Sequence, residues 1–293
     1  MRRLGKVLQE QYGEKVYKLS LSSGCSCPNR DGTLGTGGCS FCSEGGSGDF
    51  AAVYAPIDEQ LEEAKARIRQ KTDARKFIAY FQSFTNTYGD PARLLSLYRQ
   101  VLERPEIVAL SLGTRPDCLG EESMAMLREL RTIKPVWLEL GLQTVHEETA
   151  QRIRRGYPLA VFADAYRRLK AESFPVVVHL IFGLPGESRE DMLESVRYLA
   201  ALDPPPDGVK LQMLHILRGT ALGEEYQKQP FPLLSLEEYA ELIEESAAIL
   251  PPETVFHRIT GDGPGKLLLA PDWTRNKKRV LNTLNARLAQ YEI

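Results

Sequence analysis

Along the chain, short apolar runs of five to eight residues alternate with stretches where apolar residues recur every three or four positions. This alternation holds from Val16 to about Leu214. Val16-Tyr-Lys-Leu-Ser-Leu21 predicts a strand that leads straight into a glycine-rich loop. Ile57, Leu61, Ala64 and Ile68 sit at helical spacing on a charged background, so 57–71 reads as an amphipathic helix. Phe77–Phe81 is a second strand, and Asp90-Pro91 offers an N-cap and a first-turn proline for a helix through about Glu103. Strands at 107–112 and 136–142 flank a helix at 120–132. Thr144-Val-His-Glu147 has the form of a capping box, predicting a helical stretch to about 171 with a break at Gly156-Tyr-Pro158. Pro175–Phe182 is nearly all apolar, as a strand covered on both faces should be. Ser188-Arg-Glu-Asp191 opens another helix before a strand at 208–214.

Six β-α units specify a parallel sheet with right-handed crossovers, and six are too few to close an eight-stranded barrel. The expectation is an α/β fold, a partial (β/α)6 TIM-type barrel over residues 1–220, with a C-terminal α+β extension over 221–293. A proline-rich stretch, a helix opened by Ser235-Leu-Glu-Glu238, a strand at 254–259 and a basic final helix compose the extension. It is expected to pack on the core and to contribute to substrate binding.

Composition narrows the class. With 43% hydrophobic and 26% charged residues, the 293-residue chain is an ordinary globular protein. No apolar run approaches the length of a transmembrane helix, so no membrane partner is expected. Five cysteines and no signal-peptide pattern suit a reducing compartment, hence a cytoplasmic location. The net charge of −2 gives no global attraction to nucleic acid. Two segments are locally basic: 151–170 carries five Arg and one Lys against Asp164 alone, and 257–293 has seven Lys/Arg against three Asp/Glu. Such patches suit either RNA contact or plain solvated surface.

The chemistry gathers where strands end, the edge at which parallel α/β sheets place their sites. The segments there are Gln82-Ser-Phe-Thr-Asn-Thr87, Gly113-Thr-Arg-Pro-Asp117, Glu139-Leu-Gly-Leu-Gln143, Gly183-Leu-Pro-Gly-Glu187 and His215-Ile-Leu-Arg-Gly219. The first strand ends on a loop, 24–48, with Cys27, Cys39 and Cys42 at spacing C-x11-C-x2-C and Cys25 just upstream. Three thiolates on one loop can hold three irons of a [4Fe–4S] cube and leave the fourth open; a structural zinc is the other reading of the loop alone.

Cys27-Pro-Asn-Arg-Asp-Gly32, Tyr80-Phe-Gln-Ser-Phe-Thr-Asn-Thr87, Thr114-Arg-Pro-Asp-Cys118, Leu140-Gly-Leu-Gln-Thr144, Thr260-Gly-Asp-Gly263 and Ala270-Pro-Asp-Trp273 resemble the motifs of the YhcC/YtqA-type family. That family is similar to the Elongator-catalytic-subunit-like branch of the radical S-adenosylmethionine (SAM) superfamily, and the likeness covers nearly the whole chain. The resemblance implies a [4Fe–4S] cluster on Cys27, Cys39 and Cys42, with Cys25 a non-ligand and Cys118 a core cysteine more than a catalytic thiol. It implies SAM on the open iron, cleaved to a 5′-deoxyadenosyl radical after reduction by a donor such as flavodoxin or ferredoxin. The turn Gln82, Ser83 and Thr85 would hold the methionine amine. Gln143 and Arg155 would take the carboxylate or ribose, Glu139 and His179 the ribose, and Gly183 and Leu214 the adenine.

The same resemblance implies tRNA as substrate, with remodelling of the C5 side chain of a wobble uridine, for example carboxymethylaminomethyl to aminomethyl. A methyltransferase acting on the product is then an expected partner. Arg152, Arg154, Arg258, Arg275, Lys277, Lys278 and Arg279 would contact the RNA. Radical SAM chemistry on a small metabolite or peptide, and a non-catalytic metal-binding protein, stand as the other readings.

Overall fold

The computed structural model describes residues 1–46, 51–70 and 72–291; residues 47 and 48 of the expected cluster loop lie outside them, as does Lys71. Strand β1 (Arg2–Arg3) and helix α1 (Leu4–Tyr12) come first. Six β-α units follow. They comprise β2 (Val16–Leu21), α2 (Ile57–Arg69), β3 (Lys76–Phe81), α3 (Pro91–Leu102), β4 (Ile107–Thr114), α4 (Glu121–Leu130) and β5 (Val136–Gln143). Helices α5 (Glu147–Arg152) and α6 (Leu159–Ala171), strand β6 (Val176–Phe182), helix α7 (Arg189–Ala200) and strand β7 (Gly208–Met213) complete the series. The remainder holds β8 (Ile216–Leu217), α8 (Ala221–Lys228), α9 (Leu236–Ile249), β9 (Val255–Arg258), β10 (Leu268–Ala270) and α10 (Lys277–Leu288).

Eight strands form one curled, all-parallel sheet, a half-barrel, in the order β1-β9-β7-β6-β5-β4-β3-β2. The six expected strands are its body, and β9 and β1 extend it past β7. Helix α9 also packs on α7, and its buried Tyr239 hydroxyl donates to the Leu211 carbonyl of β7.

The capping signals mostly act as their chemistry dictates. Asp90 accepts from the Ala92 amide at the start of α3, and Ser188 and Ser235 form reciprocal capping boxes with Asp191 and Glu238. The Thr144–Glu147 box does not form. Thr144 Oγ1 accepts from the His146 amide instead, and Glu147 Oε1 accepts from the Leu159 amide across the Gly156–Pro158 break. Glu147 therefore caps the second helix of the pair, and α5 starts without a side-chain cap.

The two faces of the sheet differ. Leu110, Leu112, Leu138, Leu140, Val178, Leu180, Val209 and Leu211 point outward into one core with Leu94, Tyr98, Leu127, Phe162 and Leu199 of the helices. Each stabilises the fold by about 1.5–3 kcal/mol relative to exposure. Alternate positions point inward and are largely polar: Lys18 and Ser20, Tyr80 and Gln82, Ser111, Glu139 and Gln143, His179, Lys210 and Gln212, with Ile181 an apolar exception. Leu8 of α1 plugs the N-terminal end of the half-barrel with Val16, Ile78 and Ala109.

Candidate active site

The inward face encloses a cavity of about 280 Å3 that opens at the carboxyl ends of the strands. Cys27, Cys39 and Cys42 all line it. Cys25 does not: it is buried outside, with Arg93 Nη2 3.5 Å from its sulfur. Cys118 lies in a separate surface groove beside Asp117, and its thiol is pushed up to about 12 by burial and by that carboxylate.

The cysteine loop is fastened from several sides. Asn29 Nδ2 donates to the carbonyls of Arg154 (2.9 Å) and Arg155 (3.1 Å) and lies 3.6 Å from Cys39 Sγ. Arg30 donates to the Cys42 and Ser43 carbonyls, the Ser40 amide donates to Ile153, and the Thr85 amide donates to Ser26. A hydrogen bond from the Cys42 thiol brings Cys39 down to about 7, with Arg115, Asn29 and Arg30 assisting against burial. A thiol poised to deprotonate is a ready metal ligand.

The other expected residues distribute unevenly. Gln82, Thr85, Glu139, Gln143, Arg155, His179 and Leu214 line the same cavity as the three cysteines. Ser83 and Gly183 are not among its lining residues. Thr85 Oγ1 is buried without a hydrogen-bond partner, and so is Arg155 Nη2, although Arg155 donates its other nitrogens to the carbonyls of Leu142, Thr144 and Tyr157. Glu147 stands 3.6 Å from that Nη2, too far for a good hydrogen bond. Gln143 and Phe84, both on the rim, hold φ of 64° and 58°. Side-chain-bearing residues in that region signal a site that its surroundings over-determine.

Deeper in the cavity lies a charge cluster that single-position reading of the strands misses. Glu139 is fully buried; its Oε1 accepts from Lys18 Nζ (2.5 Å) and Ser111 Oγ (2.6 Å), and its Oε2 from Lys210 Nζ and His179 Nε2 (2.8 Å). Lys210 also donates to the Tyr80 hydroxyl at 2.8 Å, and the ammoniums of Lys18 and Lys210 lie 4.5 and 4.2 Å from the centroid of the Tyr80 ring. Burial alone would push Glu139 up, but Lys18, Lys210 and His179 outweigh it and hold the carboxyl well below its usual range. Burial brings Lys210 down to about 7 and His179 down to about 4. The sequence signal for this cluster is the isolated polar residue, such as Ser111, Glu139, His179 or Lys210, inside an otherwise apolar strand.

The basic residues separate too. Arg258 lines the cavity. Arg152 pairs with Glu225, Lys277 with Asp262 and Arg279 with Glu237, while Arg275 holds the Gly265 and Leu268 carbonyls. Arg154 and Lys278 are exposed.

Residues 27–199 match the family model of the Radical SAM superfamily, and residues 206–290 that of the Radical_SAM C-terminal domain. The chain is 42% identical to YtqA of Bacillus subtilis over 282 residues, covering 96% of this chain and 87% of that protein. It is 37% identical to YhcC of Escherichia coli K12 over 290 residues, 99% of this chain and 92% of that one. Elongator complex protein 3 of Mus musculus is 29% identical over 165 residues, 55% of this chain and 29% of that protein. Among solved structures, the archaeal Methanocaldococcus infernus Elp3 superposes with a TM-score of 0.68 at 18% identity, covering 93% of this chain and 63% of that one. Methylornithine synthase PylB superposes with 0.54 at 19% identity, over 96% of this chain and 85% of that one. At those identities the likeness is one of fold.

Proposed function

The chain belongs to the radical SAM superfamily, in its YhcC/YtqA-type family, and from that we propose that it is an enzyme remodelling the C5 side chain of a wobble uridine in tRNA. The superfamily's cofactors are a [4Fe–4S] cluster and SAM. The residues present fit them: three thiols line one cavity, and two buried polar groups, Thr85 Oγ1 and Arg155 Nη2, lack hydrogen-bond partners there. That conjunction carries the radical SAM part of the reading.

In this proposal Cys27, Cys39 and Cys42 hold the cluster, the 82–85 turn with Thr85 holds the methionine amine, and Arg155 receives the carboxylate. Gln143 and His179 serve the ribose, and Leu214 walls the adenine. When bound, the cluster and SAM supply one-electron cleavage of the sulfonium to a 5′-deoxyadenosyl radical. The protein's own part is aim and exclusion of water. Glu139 takes a different part from the one its position first implied: with both oxygens engaged by four donors, it braces the cavity floor.

The tRNA reading is supported by the likeness to Elongator complex protein 3 and by the exposed Arg154 and Lys278. Surface ion pairs such as Arg152–Glu225 contribute little, about 0–1 kcal/mol, so they yield readily to phosphates. The finer chemistry proposed is trimming of carboxymethylaminomethyl to aminomethyl, with flavodoxin or ferredoxin priming the cluster and a methyltransferase consuming the product. The N–CH2 carbon of the carboxymethyl group would be oxidised by two electrons, taken up by conversion of one SAM to methionine and 5′-deoxyadenosine, and water would then split the C–N bond to release glyoxylate. Nucleoside mass spectrometry of tRNA from cells with and without the gene tests it. Loss of the aminomethyl-type nucleoside with accumulation of its carboxymethyl precursor is expected; unchanged wobble uridines would refute it.

A further inference from the structure

We propose that Arg258, with Lys210 beside it, forms a carboxylate-recognition site on the cavity wall far along the sheet from β2, the strand that leads into the cysteine loop, and that it reads the anionic end of the substrate. For the substrate's identity this rests on the wobble-uridine reading; the anion site itself does not.

Strand β9 joins the sheet beyond β7 in a register that makes Lys210 and Arg258 direct neighbours. Both side chains enter the half-barrel: Lys210 reaches Tyr80 and Glu139, and Arg258 lines the cavity. The local charge does not balance. Lys18, Lys210, Arg258 and Lys277 face two carboxylates, Glu139 and Asp262, and even with Lys210 neutral the cations outnumber them. Glu139 is committed to Lys18, Lys210 and His179. Asp262 is divided between Lys277 Nζ (2.6 Å) and Arg258 Nη2 (3.1 Å). Asp262 is the one partner of Arg258 among the described residues, which leaves the rest of its donor fork turned to the cavity. A planar guanidinium anchored by one nitrogen and open at the others suits a carboxylate.

The wall around it is built with little freedom. Gly261 and Gly263 bracket the His215 imidazole so closely that a Cβ on either would sit 2.4 or 2.8 Å from the ring. His215, Asp262 and Gly263 all line the cavity. Burial holds His215 neutral near neutral pH, so it adds a polar edge without a competing charge. This assigns a task to the Thr260-Gly-Asp-Gly263 motif. A carboxymethylaminomethyl group ends in a carboxylate and its trimmed product does not, so this contact would distinguish substrate from product.

The test compares wild type, Arg258→Gln and Arg258→Lys, each cluster-loaded and with SAM. Binding is measured to anticodon stem-loops bearing carboxymethylaminomethyluridine or aminomethyluridine. In parallel, calorimetry measures millimolar N-methylglycine against N-methylethanolamine, a carboxylate-free probe independent of RNA. Wild type should favour the carboxylate-bearing ligand about 10- to 100-fold, the effect of one charge-assisted hydrogen-bonded pair. Arg258→Gln should lose that preference while keeping its affinity for the carboxylate-free ligand and its melting temperature, and Arg258→Lys should keep part of it. If no stem-loop binds but N-methylglycine binds in an Arg258-dependent way, the wobble-uridine reading fails and the anion site stands. Equal affinities in wild type in both assays, or a preference that survives Arg258→Gln, overturns the site.

Discussion

Asn29 donates its side-chain amide to the backbone carbonyl of Arg154 at 2.9 Å, fastening the cysteine loop to a segment 125 residues later. The same amide reaches the Arg155 carbonyl and Cys39 Sγ, so one side chain positions a thiol and the turn that carries the half-satisfied arginine. Asn29→Ala should therefore lower iron content after anaerobic reconstitution by several-fold without unfolding the barrel. Gly156→Ala should do the same, because its Cβ would meet Asn29 Oδ1 at 2.4 Å and its φ of +85° disfavours a side chain. Iron stoichiometry and the visible absorption of the cluster measure this; full occupancy in both variants would rule it out.

Cys27→Ser, Cys39→Ser and Cys42→Ser should each abolish cluster retention and 5′-deoxyadenosine formation. Cys25→Ser should leave both largely intact, since that sulfur lies outside the cavity near Arg93. A colourless Cys25→Ser protein, or a fully loaded Cys39→Ser one, would reassign the ligands.

Glu139→Gln removes the counter-charge of two ammoniums, one with a side-chain exposure of 6% and the other 18%. Breaking one side of a buried ion cluster should cost about 3 kcal/mol, read as a lower urea midpoint. The double change Glu139→Gln/Lys210→Met should recover part of that loss, because the uncompensated charge is removed with its partner. Simple additivity of the two single effects would contradict the pairing.

His179 and His215 are both held down to about 4 by burial. The folded state binds a proton at these sites less well than the unfolded chain does. Their stability contribution is therefore complete above about pH 6.5 and is lost as pH falls towards 4, by up to about 3 kcal/mol for each histidine. Melting temperature should drop between pH 7 and pH 5, and His215→Gln should flatten the drop. Asp262, which faces His215, opposes the shift only in part. An unchanged slope in His215→Gln would refute its role.

How much of this is legible in the sequence depends on the kind of signal. The strands and helices from Val16 to Met213 follow from periodicity, and Ser188 and Ser235 mark helix starts because capping chemistry is local. The failed box at Thr144 shows the limit: Glu147 found a stronger task bridging to Leu159 across the Gly156 turn. The two-residue strand β1 has no periodicity to read, and the attachment of β9 to β7 depends on pairing over long separation. That attachment is why Arg258 reads as part of a basic tail in the sequence yet lines the cavity in the fold. The Lys18–Glu139–Lys210 cluster was present as isolated polar residues inside apolar strands, but it means something only once the sheet is known to curl and its inner face to stay largely polar.

Strand β1 pairs Arg2 with Val255 and Arg3 with Phe256. During synthesis strand β1 therefore has no sheet partner until some 250 further residues have followed it. At about 5–20 residues per second, that wait is of the order of tens of seconds. The β2–β7 units can dock on one another as they emerge, whereas the edge carrying Arg258 must be assembled last. A truncation before residue 255 should thus leave both ends of the sheet's late edge unpaired, a vulnerability of the nascent chain that the finished fold conceals.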